Sequence, residues 1–314
     1  MVGGAIALEL IQAGYDVAAL VRTGSDISHL PSDEIAIFEG DVTDPESLRD
    51  AIAGRTSVCH AAALVPGSGA DDAEFERVNV SGTRNVCEAS VEAGVSRMLF
   101  VSTVHSFGIH PGEKVDETTI PSKPFHTGYD ASKARAEEVV LEFASTTLDA
   151  VVINPTVVFG PRSRHSGRLI SMFLRGRLPA IPLPGRQLSL VYSGDVARGA
   201  RLALENGKRG ERYILANPGV TIREFVQELA GVSGRSAPRL SVPGWLAAAG
   251  IAVLWGLSPM TRWKPPVTVA GIRHGGTIYD GGRANSELHL DYTSLEDALA
   301  DTVEWMRRDA STDG

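Results

Sequence analysis

Five short apolar runs punctuate the first half of the 314-residue chain: Val17–Val21, Ile35–Phe38, Ser57–His60, Met98–Ser102 and Ala150–Asn154. A strand with one wet face alternates apolar and polar residues; these runs are continuous, so both of their faces must be covered. The segments between them carry helical periodicity. Gly4–Ala13 is closed by Gly14, and Pro45–Ala53 opens on Asp44 as N-cap with Pro45 at the first helical position. Asp72–Ala93 and Gly128–Ala144 read as longer helices. Strands alternating with helices predict a doubly wound parallel sheet, with residues 1–160 as one α/β domain. Beyond Pro161 the pattern changes. Pro, Gly and Arg cluster over 161–187, one strand and helix fall within Leu188–Leu204, and a strand follows at Arg212–Leu215. Residues 188–216 are therefore expected to return to the sheet, and the rest of 161–314 to form a smaller, mainly helical lobe.

Charge and cysteine content remove whole classes of function. The formal net charge is −8, which argues against a nucleic-acid partner, since displacing counterions from phosphates needs a basic face. Cys59 and Cys87 alone make neither a disulfide framework nor a tetrahedral zinc site, and the scattered His110, His126 and His165 show no metal spacing. The opening segment lacks a basic leader and carries Glu9 within its apolar run. The later apolar stretch Trp245–Leu257 is shorter than the roughly 20 residues that span a bilayer, and reads as a core helix or the wall of an apolar pocket. A reducing, cytoplasmic setting with no membrane span is the expectation.

The residues that carry chemistry begin at Tyr129-Asp130-Ala131-Ser132-Lys133. Tyr-x-x-x-Lys places both side chains on one helix face, a turn apart. With 6 Tyr and 5 Lys in the chain, chance supplies about 0.1 such pairs. Arg outnumbers Lys five to one, so an ammonium here is a choice a guanidinium does not satisfy. Further short motifs stand in a fixed order around this pair. Asp41-Val42 and His60-Ala61-Ala62 each follow a strand, and Asn79-Val80-Ser81-Gly82-Thr83 lies in the first long helix. Phe100-Val101-Ser102-Thr103 leads to Phe107-Gly108, and Asn154-Pro155-Thr156-Val157-Val158-Phe159-Gly160-Pro161 follows the last strand of the domain.

Taken together, these motifs resemble the extended short-chain dehydrogenase/reductase superfamily, in the branch of dihydroflavonol reductases, 3β-hydroxysteroid dehydrogenases and related bacterial epimerase/dehydratase proteins. The resemblance implies a Rossmann fold and a catalytic set. Tyr129 would be the general acid/base, and Lys133 would lower its pKa and bind the nicotinamide ribose. Thr103, with Ser102 as the alternative, would orient the substrate oxygen, and Asn79 would anchor a proton-relay water. Gly3 would be the last glycine of the pyrophosphate turn. Asp41 and Val42 would hold the adenine, Ala61 and Ala62 the pyrophosphate side, and Pro155, Thr156, Val157 and Val158 the carboxamide. Where the family often has an acid for the adenosine 2′-hydroxyl, Val21 stands here and Arg22 follows, which favours NADP over NAD unless Arg22 is only a solvated residue. A homodimer through the two long helices is implied as well.

Departures from the family pattern are specific. Asn154 replaces a common Arg, and Phe159 a common Tyr. His105 reads as a pocket wall, because Tyr129 already serves as base. The family's first strand and first two glycines are absent, so Met1 is expected to be an internal methionine of a longer protein. Three functions follow: reduction of a ketone or oxidation of a secondary alcohol, epimerisation or dehydration of a nucleotide sugar with retained cofactor, and non-catalytic NADP binding. The substrate would be a small molecule. The arginines Arg162, Arg164, Arg168, Arg175, Arg177 and Arg186 would either grip a diphosphate or face solvent.

Overall fold

The computed structural model describes residues 1–31, 33–163, 167–242 and 276–312. Along the first half the elements are α1 (Val2–Gln12), β1 (Val17–Val21), β2 (Ile35–Glu39), α2 (Pro45–Ile52), β3 (Ser57–His60), α3 (Asp72–Phe75) and α4 (Gly82–Glu92). Next come β4 (Arg97–Val101), β5 (Lys114–Val115), α5 (Gly128–Thr146), β6 (Ala150–Pro155) and β7 (Val157–Phe159). The helix expected over Asp72–Ala93 runs through, but Glu76–Ser81, between α3 and α4, is wound as a π-helix. Such insertions re-aim one side chain without ending the helix, a shift that periodicity alone does not reveal.

The second half opens with α6 (Gly167–Leu174), inside the stretch rich in Pro, Gly and Arg, then β8 (Ile181–Pro182), β9 (Gln187–Leu188), β10 (Leu190–Tyr192) and α7 (Ser193–Asn206). The remaining elements are β11 (Arg212–Leu215), β12 (Val220–Thr221), α8 (Ile222–Ser233), β13 (Ser241–Val242), β14 (Ile278–Tyr279), α9 (Gly282–Leu288) and α10 (Leu295–Thr312). Trp245–Leu257, Arg164 and His165 lie outside the described residues. Among the described residues no helix is long and apolar enough to cross a membrane.

Four parallel strands in the order β11-β6-β4-β3 form the central sheet of a Rossmann-type α/β fold. Its pairing runs Ser57↔Arg97, Met98↔Ala150 and Val152↔Arg212. The continuous apolar runs are explained by the two cores they feed. Leu99, Val151 and Ile153 point to one face, against Ile6 and Leu10 of α1 and Val196 and Ala200 of α7. Met98, Phe100, Ala150 and Val152 point to the other, against Val86 and Cys87 of α4 and Ala136 and Val140 of α5. A third core, built on Phe159, Ile170, Phe173, Phe225, Leu229 and Leu299, gathers β7, α6, α8 and α10.

β1 and β2 pair in parallel with each other and stand as a separate two-stranded sheet. A cavity of ≈ 690 Å³ lies along β1, β3 and α1, lined among others by Val17, Ala19, Val21, Ser57, Cys59 and Ile6. In the strand order of a doubly wound sheet, one strand would occupy this position.

Two measurements check this architecture. Amide hydrogen exchange should show β4 and β6, each paired on both sides, protected throughout; rapid exchange in either would contradict the strand order β11-β6-β4-β3. Ile153→Ala, at a fully buried position between β4 and β11, should lower stability by about 2–5 kcal/mol in a urea titration.

Candidate active site

The carboxyl ends of β3, β4 and β6 gather the polar residues that the strands themselves exclude: His60, Ser102 and Thr103, and Asn154 and Thr156. That is where open α/β sheets bind ligands. Gly108 takes φ +78° just beyond, and a Cβ there would meet Ser122 O at 2.3 Å, so only glycine lets the 122 strand of chain close over the turn.

Helix α5 brings in the tyrosine and lysine. Thr127 is its N-cap, accepting from the Asp130 amide at 3.0 Å. Tyr129 is half-buried and Lys133, one turn on, is 2% exposed. The Lys133 ammonium donates to Val101 O at 2.9 Å and lies 4.3 Å from the centre of the Phe100 ring. Burial pushes its pKa down to about 8, with Glu137 pulling in the opposite direction. Burial and the Asp130 charge push the Tyr129 hydroxyl up to about 12, while a hydrogen bond from Thr103 opposes them. Lys133 lies one turn from Tyr129 on the same helix, with its ammonium on Val101 O.

Asn79 sits on the π-helical stretch. Its Nδ2 donates to Ser132 Oγ at 2.9 Å and Leu64 O at 3.1 Å, and its Oδ1 accepts from the Leu64 amide at 2.7 Å. It thereby ties the loop after β3 to α5. Behind it, Thr83 Oγ1 donates to Asn79 O, so the His60 ring must donate through Nε2 to Thr83, at 2.9 Å. Burial, and Lys133 nearby, push the His60 pKa down to about 3, so the ring is neutral.

A second buried cluster escaped the motif reading. Glu137 is 3% exposed, receives Asn154 Nδ2 at 2.8 Å and pairs with Arg212 at 2.8 Å. The available signal was periodicity, since Tyr129, Lys133 and Glu137 follow one another at intervals of four. Asn154, at the position where an Arg is common, also donates to Ser106 Oγ.

The remaining candidates lie around this centre. Asp41 accepts from the Thr43 amide and hydroxyl at 2.8 Å each; burial raises its pKa, but these bonds and the nearby Arg22 and Arg77 hold it below the ordinary value. Arg22 is exposed at the end of β1, and Val42 packs in the core beneath Gly82. Gly3, Ala61 and Ala62 line the cavity beside β1, where a Cβ on Gly3 would stand 3.6 Å from Ala61 Cβ. Pro155 and Thr156 are buried, whereas Val157 is 50% exposed and Val158 half-buried.

Three observations fit a dinucleotide in this position. Ser102 Oγ and Asn154 Oδ1 are buried with no partner among the described residues. Lys133 has three N–H donors, of which Val101 O takes one. No side chain among the described residues caps α1, and a helix N-terminus suits an anion.

Comparison with known proteins places the chain in a family. Residues 1–216 match the NAD dependent epimerase/dehydratase family. The chain is 34% identical to sterol demethylase protein B of Methylococcus capsulatus, over 97% of this chain and 95% of that protein. It is also 34% identical to a 4-hydroxy-2-methyl-3-oxo-4-farnesyl-3,4-dihydroquinoline-1-oxide ketoreductase of Stigmatella aurantiaca, over 81% and 78% of the two chains. Among solved structures, gox2253 superposes with TM-score 0.83 at 30% identity, covering 98% and 96%. A UDP-glucose 4-epimerase from Thermotoga maritima, solved with UDP-glucose, superposes with TM-score 0.79 at 22% identity, covering 99% and 96%, and shares the fold. The chain belongs to the NAD dependent epimerase/dehydratase family. It is an enzyme of that NAD(P)-dependent superfamily, which includes epimerases, dehydratases and reductases.

The depressed Lys133 pKa gives a stability prediction with a definite sign. Below about pH 8 folded and unfolded chains both hold the proton, and the full cost of burying the charge is present. Between about 8 and the ordinary 10.5 only the unfolded chain holds it, so this position contributes stability that rises with pH. The urea midpoint of wild type should gain on that of Lys133→Met between pH 8 and 10. A constant difference over that range would contradict a buried, titrating ammonium.

Proposed function

We propose that this protein interconverts a ketone and a secondary alcohol with NADP, using Tyr129 as the proton donor and acceptor. The observation that carries this reading is the Lys133 ammonium, fully buried one turn below Tyr129 and held by a single main-chain carbonyl. A protein gains nothing in stability from such a charge, so its retention points to a ligand. When bound, the nicotinamide supplies or accepts the hydride. Tyr129 gives its hydroxyl proton to the forming alkoxide, and Thr103 hydrogen-bonds the same oxygen. Lys133 would turn donors to the ribose and, once the site is filled, stabilise the tyrosinate. Asp41, Val42, Ala61 and Ala62 would hold the adenosine side, and Pro155, Thr156, Val157 and Val158 the carboxamide. Arg22, with no acid at Val21, would meet the 2′-phosphate. Residues 1–160 with 188–216 would form the cofactor domain and the rest of 161–314 the substrate lobe. A homodimer through α4 and α5 is part of this reading. Ketone reduction is preferred to nucleotide-sugar epimerisation because one relative at 34% identity carries a ketoreductase name.

Tyr129→Phe should abolish ketone-dependent NADPH oxidation and leave NADPH binding, followed by its fluorescence, within about twofold. Substantial turnover by this variant would overturn the mechanism. Wild type should bind NADPH more tightly than NADH, and Arg22→Ala should weaken NADPH alone, by roughly 1.5–3 kcal/mol. Equal affinities in wild type would reject the 2′-phosphate contact. Stoichiometric loss of NADPH separates the reductase from an epimerase, which regenerates its cofactor.

A further inference from the structure

Resting on the hydride-transfer reading, we infer that Phe75 is a positioning residue: α3 and the π-helical turn behind it hold the Phe75 ring against Tyr129, and this contact fixes where the Tyr129 hydroxyl points. The segment from Asp71 to Ser81 then serves proton transfer without touching the substrate.

Phe75 is 8% exposed, yet among the described residues it belongs neither to the two cores of the sheet nor to the third core. Its ring centre lies 6.0 Å from that of Tyr129, with the planes at 65°. That is an edge-to-face aromatic pair, which prefers one relative orientation where an aliphatic contact prefers none. Tyr129 also meets the His105 ring, at 6.0 Å and 71°. Two rings thus bound the phenol, whose hydroxyl shares a hydrogen bond with Thr103. A proton donor displaced by even 1 Å from the reacting oxygen loses much of its effect, so orientation is what such a contact can contribute.

The segment that carries Phe75 is itself fixed from both ends. A capping box closes the start of α3: the Glu74 amide donates to Asp71 Oδ1 at 2.8 Å, and the Asp71 amide donates to Glu74 Oε2 at 3.4 Å. Directly after Phe75 the chain winds into the π-helical turn, a device that re-aims side chains and recurs at functional sites. Three further contacts lay this segment along α5. A Cβ on Gly128, the residue before Tyr129, would overlap Asp72 Oδ1, so α3 approaches α5 closely only because Gly128 has none. Asn79 donates to Ser132 Oγ at 2.9 Å, and Glu76 forms an ion pair with Arg135. Asp72, Glu76 and Asn79 therefore meet α5 on either side of the Phe75–Tyr129 contact in the chain. A side chain needed only for apolar area requires no such fixing; a ring that must keep its angle does.

The test follows NADPH oxidation with 2,2,2-trifluoroacetophenone, an activated ketone, and expresses kcat per NADPH-binding site counted by fluorescence titration. Phe75→Leu and Phe75→Met each remove the ring and keep an apolar side chain. Both should lower kcat per site about 10- to 100-fold while KM and NADPH affinity stay within about twofold. Phe75→Tyr keeps the ring and should hold kcat within about threefold of wild type. A purely structural role would reduce the number of binding sites and leave kcat per site unchanged, and that result overturns the inference. An equal fall in the aromatic and the aliphatic variants overturns it as well. If wild type does not oxidise NADPH with the ketone, the hydride-transfer reading fails. NMR of protein labelled with ε-13C tyrosine then decides the inference by itself, the Tyr129 signal being identified by its loss in Tyr129→Phe. A Tyr129 signal that moves in Phe75→Leu and keeps its wild-type position in Phe75→Tyr sustains it; one unmoved in Phe75→Leu overturns it.

Discussion

A parallel sheet offers water neither of its faces, and this constraint arranges everything else in the molecule. Strands β4 and β6 are apolar on both sides because α1 and α7 cover one face and α4 and α5 the other. Polar side chains can then enter only where a strand ends. His60, Ser102, Thr103, Asn154 and Thr156 all stand at carboxyl ends, and α5, whose inward face packs on Phe100 and Val152, carries Tyr129 and Lys133 to the same level. The chemistry is collected in one place by the covering of the sheet, with no need for any two of these residues to be neighbours in the chain.

Around that level the polar groups divide by charge. His60, Thr83, Asn79 and Ser132 form a neutral chain of hydrogen bonds that fixes the loop after β3 against α5. On the other side, Glu137 is compensated by Arg212 and Asn154, and its charge opposes the lowering of the Lys133 pKa by burial. A buried ammonium with an incomplete set of partners is held at a cost. The same incompleteness gives it capacity to bind, and the Tyr129 hydroxyl, raised to about 12 with the ammonium directed elsewhere, stays protonated until that capacity is used.

Much of the fold is legible in the chain because its signals are local. Val17–Val21 and Ser57–His60 coincide with β1 and β3 to the residue, and Asp44-Pro45 opens α2 with the Asp44 side chain accepting from the Glu46 amide. The Tyr129/Lys133 face likewise follows from helical spacing alone. What the chain conceals depends on distant partners. The π-helical turn at Glu76–Ser81 is set by packing on α5, some fifty residues on, and not by any breaker residue. Arg212 meets Glu137 across 75 positions, and Asp130 meets His105 across 25. His105 reads as a wall by elimination, because nothing nearby in sequence announces its carboxylate partner. The direction of the Lys133 ammonium depends on Val101 O, and a motif gives spacing without orientation.

The split of the sheet bears unequally on the two halves of the site. Thr103, Tyr129, Lys133 and Asn154 rest on four strands laddered in one register. Gly3, Val42, Ala61 and Ala62 line the cavity next to the separate β1-β2 pair, which is tied to the rest through side-chain packing, including α2 against α4 and α1 against α7 with its Arg201–Glu9 ion pair at 2.8 Å. Packing contacts yield under small displacements more readily than a hydrogen-bonded ladder does. The residues proposed for chemistry therefore rest on the four-stranded sheet, and those proposed for the adenosine side lie beside the separate β1-β2 pair. Proton transfer needs positions fixed to fractions of an ångström, whereas a long ligand can order its own binding surface as it docks. Affinity for the dinucleotide and the geometry of the reacting groups are consequently set by different parts of one fold, and a change along β1 should act on the first while leaving the second in place.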